Sequence, residues 1–296
     1  MKILVLGAYG MLGHKLFARL GKDSDVYGTC RELKANESWS WMFPASRMFP
    51  WVKAEEPGTV LSPIRKVKPD VVINCIGIVK QLDAAKDPIQ TITVNSLFPH
   101  QLAQTCEKEH ARLIHFSTDC VFSGKKGKYK ATDLTDAEDL YGRTKALGEV
   151  NKKGCVTIRS SIIGRELGTR NGLVEWFLSQ KGKRVQGYKN AIYSGFTTIE
   201  MANIVKMIIA RRPELSGTVQ IASEPISKCD LLNLIKEKMR LDIKIESEFE
   251  HKIDRSLDGS AFNRLIDYAP PSWESMIEEL AKDSTMYESK LESGNR

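Results

Sequence analysis

The 296-residue sequence has no long hydrophobic run. No window approaches the ~18 consecutive apolar residues that a transmembrane helix needs. After Lys2, the N-terminal apolar stretch covers only residues 3–6 before a glycine interrupts it, which is too short for the hydrophobic part of a secretory signal. We therefore predict a cytoplasmic protein that does not associate with membranes.

Cysteines at metal-binding spacing are absent too. The six cysteines are widely scattered, and none pairs with another at the short spacing of a zinc site. The five histidines form no cluster of ligands either. These absences predict reduced thiols in a cytoplasmic chain and no metal site.

The formal net charge of +7 leaves nucleic-acid binding as one interpretation. The basic residues are spread along the chain, however, and their densest cluster lies in a glycine-containing loop at residues 125–130 without a ladder of aromatic side chains. A solvated surface that attracts phosphorylated small molecules agrees better with this distribution. We predict no nucleic-acid partner.

Over its first 160 residues the sequence alternates short apolar strands with helical patterns. The predicted strands are 2–6, 25–30, 70–75, 112–116 and 156–159, and the predicted helices are 11–20, 89–108 and 139–153. Such alternation is typical of an α/β fold in which helices cover both faces of a parallel sheet. It predicts a Rossmann-type doubly wound parallel sheet. Residues 34–60, rich in aromatics and proline, give no clear pattern.

Beyond residue 160 this alternation stops. Further helices are predicted at 173–180, 198–211, 231–239 and 273–281, with one strand at 218–221. Ser227 and Asp230 are spaced as at a helix start.

These patterns predict two unequal parts. The predicted division is a dinucleotide-binding domain over 1–162, to which 196–222 returns, a smaller C-terminal substrate-binding subdomain over 163–195 and 223–286, and a frayed tail at 287–296.

The clearest local motif is a glycine-rich turn, GxxGxxG, between the first strand and the first helix. Glycines permit a tight turn, and they let backbone amides approach a diphosphate at the positive end of the helix. The motif therefore predicts dinucleotide binding. The residues predicted to contact the cofactor here are Gly7, Tyr9, Gly10, Met11, Leu12 and Gly13.

The end of the second strand bears on the choice of cofactor. An acidic residue there would bind the ribose 2′-hydroxyl of NAD, whereas an arginine accommodates the 2′-phosphate of NADP. Arg31 favours NADPH. Glu32 is adjacent, so NADH stays an alternative.

Tyr141 and Lys145 are candidate residues for proton transfer. Their spacing of four places them on one side of a helix. An ammonium so close is expected to lower the tyrosine's pKa from ~10 toward the working pH, and such a tyrosine can give a proton to a developing alkoxide. Thr118 follows the strand 112–116, where a hydroxyl points into the ligand crevice and can bond a substrate carbonyl. Ser117 is the neighbouring alternative.

The combination of motifs resembles the extended short-chain dehydrogenase/reductase superfamily and, within it, the dTDP-4-dehydrorhamnose reductase family. The resembling segments are GAYGMLG (7–13), PDVVIN (69–74), VN (94–95), FSTD (116–119), VF (121–122), YGRTK (141–145) and RSS (159–161). Two later segments, SGFT (194–197) and IDRS (253–256), look like that family's substrate side.

The resemblance implies roles for particular residues. Thr118, Tyr141 and Lys145 would be the catalytic trio, and Lys145 would also hold the nicotinamide ribose. Arg255 would face the substrate's phosphates, and Asn95 would brace a helix. The other implied contacts are with the cofactor at Cys75, Ile76 and Gly77, and with the substrate at Lys80, Ser117, Asp119, Ser160, Trp176 and Tyr193.

The activity implied by the resemblance is NADPH-dependent reduction of the 4-keto group of a nucleotide-linked 6-deoxyhexose, feeding deoxysugar and surface polysaccharide biosynthesis. A homodimer agrees with this function. Residues 75–81 depart from the family's usual alanines beside the sugar pocket, so the exact sugar is not predicted.

Two alternatives to this activity stay open. A sugar-nucleotide epimerase on the same fold would recycle its nicotinamide, and a non-catalytic NADP-binding regulatory subunit would keep the fold without turnover. A dehydratase is disfavoured because Asp119-Cys120 follows the threonine, where related dehydratases have Asp-Glu.

Overall fold

The computed structural model describes residues 1–33 and 41–293. The strands are β1 (Lys2–Leu6), β2 (Asp25–Thr29), β3 (Met48–Phe49), β4 (Val71–Asn74), β5 (Arg112–Phe116), β6 (Cys155–Arg159), β7 (Ile162–Ile163), β8 (Arg184–Tyr188), β9 (Ala191–Tyr193), β10 (Phe196–Thr197), β11 (Gly217–Gln220), β12 (Ile226–Ser227), β13 (Lys244–Glu248) and β14 (Ile253–Asp254). The α-helices are α1 (Met11–Leu20), α2 (Gly58–Val67), α3 (Pro88–Ile92), α4 (Phe98–Lys108), α5 (Leu140–Leu147), α6 (Leu173–Leu178), α7 (Thr198–Arg211), α8 (Lys228–Lys238), α9 (Ser260–Ile266) and α10 (Trp273–Ser293). A π-helical turn at Thr93–Leu97 joins α3 to α4.

Parallel strands form the central sheet in the order β11-β6-β5-β4-β1-β2-β3, seven strands among the described residues. The order 3-2-1-4-5-6 is that of the Rossmann fold. Strand order reverses between β1 and β4, so a crevice lies outside the carboxyl ends of these two strands. The predicted fold class, an α/β doubly wound parallel sheet, is confirmed.

Strand β1 shows why the sheet needs helices on both faces. Ile3 and Val5 belong to the apolar cluster that includes α1 and α7, whereas Leu4 and Leu6 belong to the cluster under α2 and α4. All four side chains are fully buried. A strand buried on both faces has a continuous apolar sequence rather than an alternating one.

The second half of the chain adds smaller sheets. They have the strand orders β12-β9-β14, β13-β8 and β10-β7. Residues 196–222 contribute β11 to the main sheet and α7 to the helices that pack on it. The predicted division into two functional parts stays a prediction.

Two elements lie in the region that the sequence left unassigned. β3 pairs with β2, and α2 covers residues 58–67 with Pro63 inside it. Because proline is rare inside a helix, the sequence of this segment does not predict a helix. Residues 34–40 lie outside the described residues.

The fifth helix is shorter than predicted. α5 ends at Leu147, whereas the prediction continued it to residue 153. The Val150 amide donates to Thr157 Oγ1 at 3.0 Å, and the same hydroxyl donates to the Val150 carbonyl at 3.0 Å. These bonds to β6 replace the helical ones.

The last helix is longer than the predicted 273–281, and the predicted fraying of the tail from residue 287 stays a prediction. α10 continues to Ser293, and the Tyr287 side chain is 3% exposed. The reason is a tertiary contact, since the Tyr287 hydroxyl lies 2.6 Å from His14 Nε2. The final residues of the predicted tail, 294–296, lie outside the described residues.

Among residues 1–33 and 41–293, no helix combines the length and hydrophobicity needed to cross a membrane. The same part of the chain contains no group of three or more His, Cys, Asp or Glu side chains placed to share a metal ion. All six cysteines are free thiols.

Candidate active site

The glycine-rich turn joins β1 to α1 at the crevice. Gly7 has φ +77°, a left-handed conformation that favours glycine, and the Gly10 amide donates to the Gly7 carbonyl at 3.0 Å. Thr29, the last residue of β2, closes the turn because its hydroxyl accepts from the Gly7 amide at 3.2 Å. A Cβ on Gly13 would overlap the Gly7 carbonyl oxygen, so the helix approaches the turn more closely than an alanine permits.

The N-terminus of α1 suits a diphosphate. Its N-cap is Gly10, which provides no side-chain hydrogen bond to the first turn. The first backbone amides of a helix have no partner within it and form its positive end. A diphosphate group supplies the acceptors and the negative charge that such an end requires.

The side chains of the turn pack against other parts of the protein, and their predicted cofactor contacts stay predictions. Leu12 is buried in the core. The Tyr9 ring packs edge-on against Phe43, with centroids 4.8 Å apart. Met11 lies against Gly172, where an added Cβ would collide with Met11 Cε.

The segment after β4 forms the other wall of the crevice. A Cβ on Gly7 would lie 3.4 Å from the Cys75 carbonyl oxygen and 3.2 Å from Ile76 Cγ1. Asn95, in the π-helical turn, fixes this segment with two 2.9 Å bonds to the backbone of Ile78, one accepted and one donated. The structure therefore brings Cys75 and Ile76 beside the glycine-rich turn, with exposed Gly77 next in the chain.

Arg31 lies just beyond β2, and its side chain is 60% exposed. Its guanidinium forms a 2.7 Å ion pair with Glu55, and its carbonyl accepts from the Trp51 amide at 3.2 Å. Glu32 is exposed. The arginine is thus held at the carboxyl edge of the sheet by the segment around β3.

The structure brings Thr118, Tyr141 and Lys145 together at the carboxyl end of β5. Lys145 Nζ donates a 2.6 Å hydrogen bond to the carbonyl of Phe116, the last residue of that strand. Thr118 follows two residues later, and its hydroxyl is near enough to the Tyr141 phenol to influence the pKa of that phenol. Asp139 begins the helix that carries the tyrosine and lysine, because its carboxylate accepts from the Gly142 amide at 2.7 Å.

The predicted direction of the Tyr141 pKa is wrong in this structure. Burial raises the pKa of the phenol well above its usual value, and the nearby Thr118 hydroxyl opposes this increase. The nearby Asp119 and Asp139 raise the pKa further. Lys145 donates to a backbone carbonyl in this structure, and its charge does not overcome these effects. Tyr141 is therefore fully protonated at neutral pH and ready to donate.

Lys145 has the more unusual titration. Burial lowers its pKa to about 8, although the charge of Glu149 opposes the decrease. A lysine with this pKa changes charge near physiological pH. The lysine also lies near Cys75, in the segment beside the glycine-rich turn.

Polar groups surround Thr118. Its hydroxyl donates to Asp119 Oδ1 at 3.1 Å and accepts from the Cys120 amide at 3.1 Å. Burial raises the pKa of Asp119, and the bond from Thr118 and the charge of Arg255 oppose this increase. Arg255 reaches the cluster from the C-terminal part of the chain, where Arg255 Nε donates to the Phe122 carbonyl at 2.9 Å.

Two further predicted residues lie near this cluster. Lys80 pairs with Asp139 at 2.7 Å, at the start of the helix that carries Tyr141. Tyr193 is buried, and burial together with the charge of Asp119 raises the pKa of its phenol. Both residues thus interact with groups adjacent to Thr118, Tyr141 and Lys145.

Three predicted substrate residues are engaged elsewhere. The Ser117 hydroxyl donates to Glu149 at 2.7 Å, which suits a structural role better than the predicted substrate contact. Ser160 is buried, and its hydroxyl lies 3.4 Å from the Ser161 carbonyl. The Trp176 ring packs beside Phe177, and no contact of Trp176 with the trio is seen among the described residues.

Glu149 is a residue that the sequence analysis missed. Its carboxylate accepts from Ser117 and pairs with Arg159 at 2.6 Å, while its charge supports the protonated form of Lys145. The signal was present, because Glu149 follows Lys145 by four residues. It was overlooked because an acidic residue near a helix end is usually solvated.

A Rossmann sheet, a glycine-rich turn at its crevice and a Thr–Tyr–Lys trio beside that crevice define an extended short-chain dehydrogenase/reductase. Within that class, the family model described as "RmlD substrate binding domain" matches residues 1–286. The chain belongs to this family.

Similar proteins include dTDP-4-dehydrorhamnose reductases. The enzyme of Mycobacterium tuberculosis is 31% identical over 153 residues, an alignment that covers 50% of this chain and 44% of the relative. The spore coat polysaccharide biosynthesis protein SpsK of Bacillus subtilis is 23% identical over 95% of this chain and 97% of its own length. The alignments to the first reductase relatives thus span less than half of those proteins.

Solved structures share the fold over nearly the whole chain. A dTDP-4-dehydrorhamnose reductase from Bacillus anthracis in complex with NADP superposes with a TM-score of 0.78 at 18% identity, covering 95% of this chain and 99% of that one. WbmG from Bordetella bronchiseptica, in complex with NAD and UDP, also superposes with a TM-score of 0.78. Its identity is 15%, and the superposition covers 96% of this chain and 95% of WbmG.

Proposed function

We propose that the chain reduces the 4-keto group of a nucleotide-linked 6-deoxyhexose with NADPH. The observation that carries this proposal is the placement of Thr118, Tyr141 and Lys145 together at the carboxyl end of β5, with Lys145 Nζ bonded to the Phe116 carbonyl and Thr118 near the Tyr141 phenol. The family match and the reductases among the relatives support it. The predicted cytoplasmic location and homodimer stay predictions.

Each residue of the site has a separate role in the proposed carbonyl reduction. A bound reduced nicotinamide supplies the hydride. Tyr141 donates its proton to the substrate oxygen, which becomes a hydroxyl, and the Thr118 hydroxyl bonds the same oxygen as its charge grows. Lys145, as a cation, stabilises the phenolate that Tyr141 leaves behind. Arg255 would bind the diphosphate of the sugar nucleotide in a charge-assisted contact.

The test is incubation of the purified chain with NADPH and a panel of 4-keto-6-deoxy sugars linked to dTDP, UDP, GDP or CDP. Absorbance of the reduced nicotinamide reports turnover, and NMR identifies the product and its configuration at C4. Stoichiometric consumption of NADPH supports the reductase. Tight NADPH binding without oxidation across the panel would indicate a regulatory subunit, and bound oxidised cofactor that is recycled would indicate an epimerase.

Replacement of Arg31 by alanine is expected to reduce the preference for NADPH. A charge-assisted bond to the 2′-phosphate is lost, so the ratio of kcat/KM with NADPH to that with NADH should fall roughly 10- to 100-fold. Arg47→Ala is the matched control, because Arg47 also forms an exposed ion pair, with Asp25, near β2. An unchanged ratio in Arg31→Ala would remove this arginine from the cofactor site.

The rate of reduction is expected to fall as the pH rises through about 8, because Lys145 then loses its proton. The protonated form exists below this pKa and the neutral form above it, and only the cation stabilises the Tyr141 phenolate. A profile of kcat/KM from acid to alkaline pH measures this decrease. Lys145→Arg keeps a cation throughout and should lack the decrease near pH 8, whatever its absolute rate. The same decrease in that variant would assign it to another group.

A further inference from the structure

The C-terminal helix contacts the cofactor-binding helix in a regular register. Glu279, Asp283 and the residue four further on, Tyr287, reach Arg19, Lys15 and His14 of α1 in reverse order. Residues four apart lie on one face of a helix, so one face of α10 runs antiparallel along α1. Its final contact, Tyr287, is nearest to the glycine-rich turn.

The middle contact is a buried ion pair. Lys15 Nζ donates to both oxygens of Asp283, at 2.8 and 2.7 Å, and the two side chains are 4% and 8% exposed. Arg165, from the loop before α6, lies over the Tyr287 ring with its guanidinium carbon 4.9 Å from the centroid. Buried charges are costly unless they are paired, so these contacts define one position of α10 against α1.

The hydrogen bonds that join the Gly10 carbonyl, the His14 ring and the Tyr287 hydroxyl allow one arrangement of protons. His14 Nδ1 lies 2.9 Å from the Gly10 carbonyl, which can only accept, so Nδ1 carries the hydrogen. Burial lowers the pKa of His14 to about 3, so the ring is neutral and Nε2 is an acceptor. The Tyr287 hydroxyl therefore donates to Nε2 across 2.6 Å.

The Gly10 carbonyl belongs to the peptide unit that carries the Met11 amide. Because the unit is planar, the carbonyl and the N–H point in opposite directions. The His14 backbone amide donates to the same carbonyl at 3.1 Å. Fixing that oxygen thus fixes the direction of the first amide of α1, which faces the predicted diphosphate.

We propose that Tyr287, acting through His14, is a positioning residue that holds the Gly10–Met11 peptide in the orientation that binds the cofactor's diphosphate. This inference rests on the proposed use of a dinucleotide at the glycine-rich turn. Tyr287 lies just beyond the matched residues 1–286. The C-terminal helix is thereby part of the cofactor site without contacting the cofactor.

Two measurements on Tyr287→Phe test the proposal. The Kd for NADPH, from fluorescence titration, should rise about threefold to tenfold, the size of one lost hydrogen bond, while the Kd for the nucleotide sugar stays unchanged. Hydrogen exchange at residues 10–14, measured without cofactor, should become faster. His14→Asn retains a donor at the Nδ1 position but loses Tyr287, so it should match Tyr287→Phe.

The matched control is Tyr268→Phe, which removes another tyrosine bond, the 2.7 Å bond to Glu200. It should leave the NADPH Kd and the exchange at residues 10–14 unchanged. An unaltered Kd in Tyr287→Phe, or equal increases in both variants, would overturn the proposal. These readouts need no turnover: if the wild type binds NADPH but reduces no sugar, the proposed function fails while the Kd comparison still decides this inference.

Discussion

Tyr141→Phe is expected to lose turnover by about 10²- to 10⁴-fold, the range typical of a general acid. The substitution removes only the hydroxyl, so the ring keeps its packing on α5. The expected defect is chemical because burial holds the Tyr141 proton in place at neutral pH and makes this phenol the donor at the site. The measurement is kcat with NADPH and the most active sugar nucleotide of the panel, beside the NADPH Kd.

The NADPH Kd of Tyr141→Phe should stay within about twofold of the wild type, because Lys145 and the glycine-rich turn are intact. Tyr188→Phe is the control for loss of a tyrosine hydroxyl, since that hydroxyl bonds an exposed glutamine within β8, at 3.3 Å. A Tyr141→Phe variant with kcat within about tenfold of the wild type and normal cofactor binding would show that another group supplies the proton.

Short-range patterns were enough to predict the framework of the site. Apolar strands that alternate with helices predicted the doubly wound sheet, and parallel strands end at one edge. The residues that follow β1 and β4 do meet there, at Gly7, Cys75 and Ile76. The spacing of four between Tyr141 and Lys145 correctly placed both on α5.

Electrostatics could not be predicted in the same way. The spacing implied that the ammonium would face the phenolate, but Lys145 donates to the Phe116 carbonyl, a partner from another element. Burial then decides the pKa of both groups, and burial is a property of the assembled fold. The sequence gives proximity along one helix, whereas the direction of each pKa shift depends on every element packed around it.

Long-range partners account for the other differences. In the sequence, the last helix has a polar side, formed by Glu279, Asp283 and Tyr287, that looks exposed to solvent. Their partners on α1 are some 260 to 273 residues away in the chain, so no local pattern reveals the contacts. Nothing local to residues 279–287 distinguishes an exposed polar face from one buried against complementary charges. Helix α2 was hidden for a local reason, the proline within it.

Gly13→Ala is expected to abolish measurable NADPH binding and to lower the melting temperature. The new Cβ would overlap the Gly7 carbonyl oxygen and lie 3.0 Å from the Gly7 carbonyl carbon and 3.1 Å from Ala8 Cα. All three are backbone atoms of the turn, so relief requires α1 to move away from β1. Overpacking of this kind costs about 1–3 kcal/mol, and we expect the NADPH Kd to rise at least ~100-fold because the first-turn amides move with the helix.

Gly58→Ala separates this steric effect from the general effect of an added methyl group. Gly58 begins α2, and a Cβ there meets nothing within 4 Å. Alanine is also favoured over glycine in a helix by up to about 1 kcal/mol, so this variant should bind NADPH normally and melt at the same or a slightly higher temperature. Normal NADPH binding by Gly13→Ala would mean that the close approach of α1 to the turn is not required for the cofactor site.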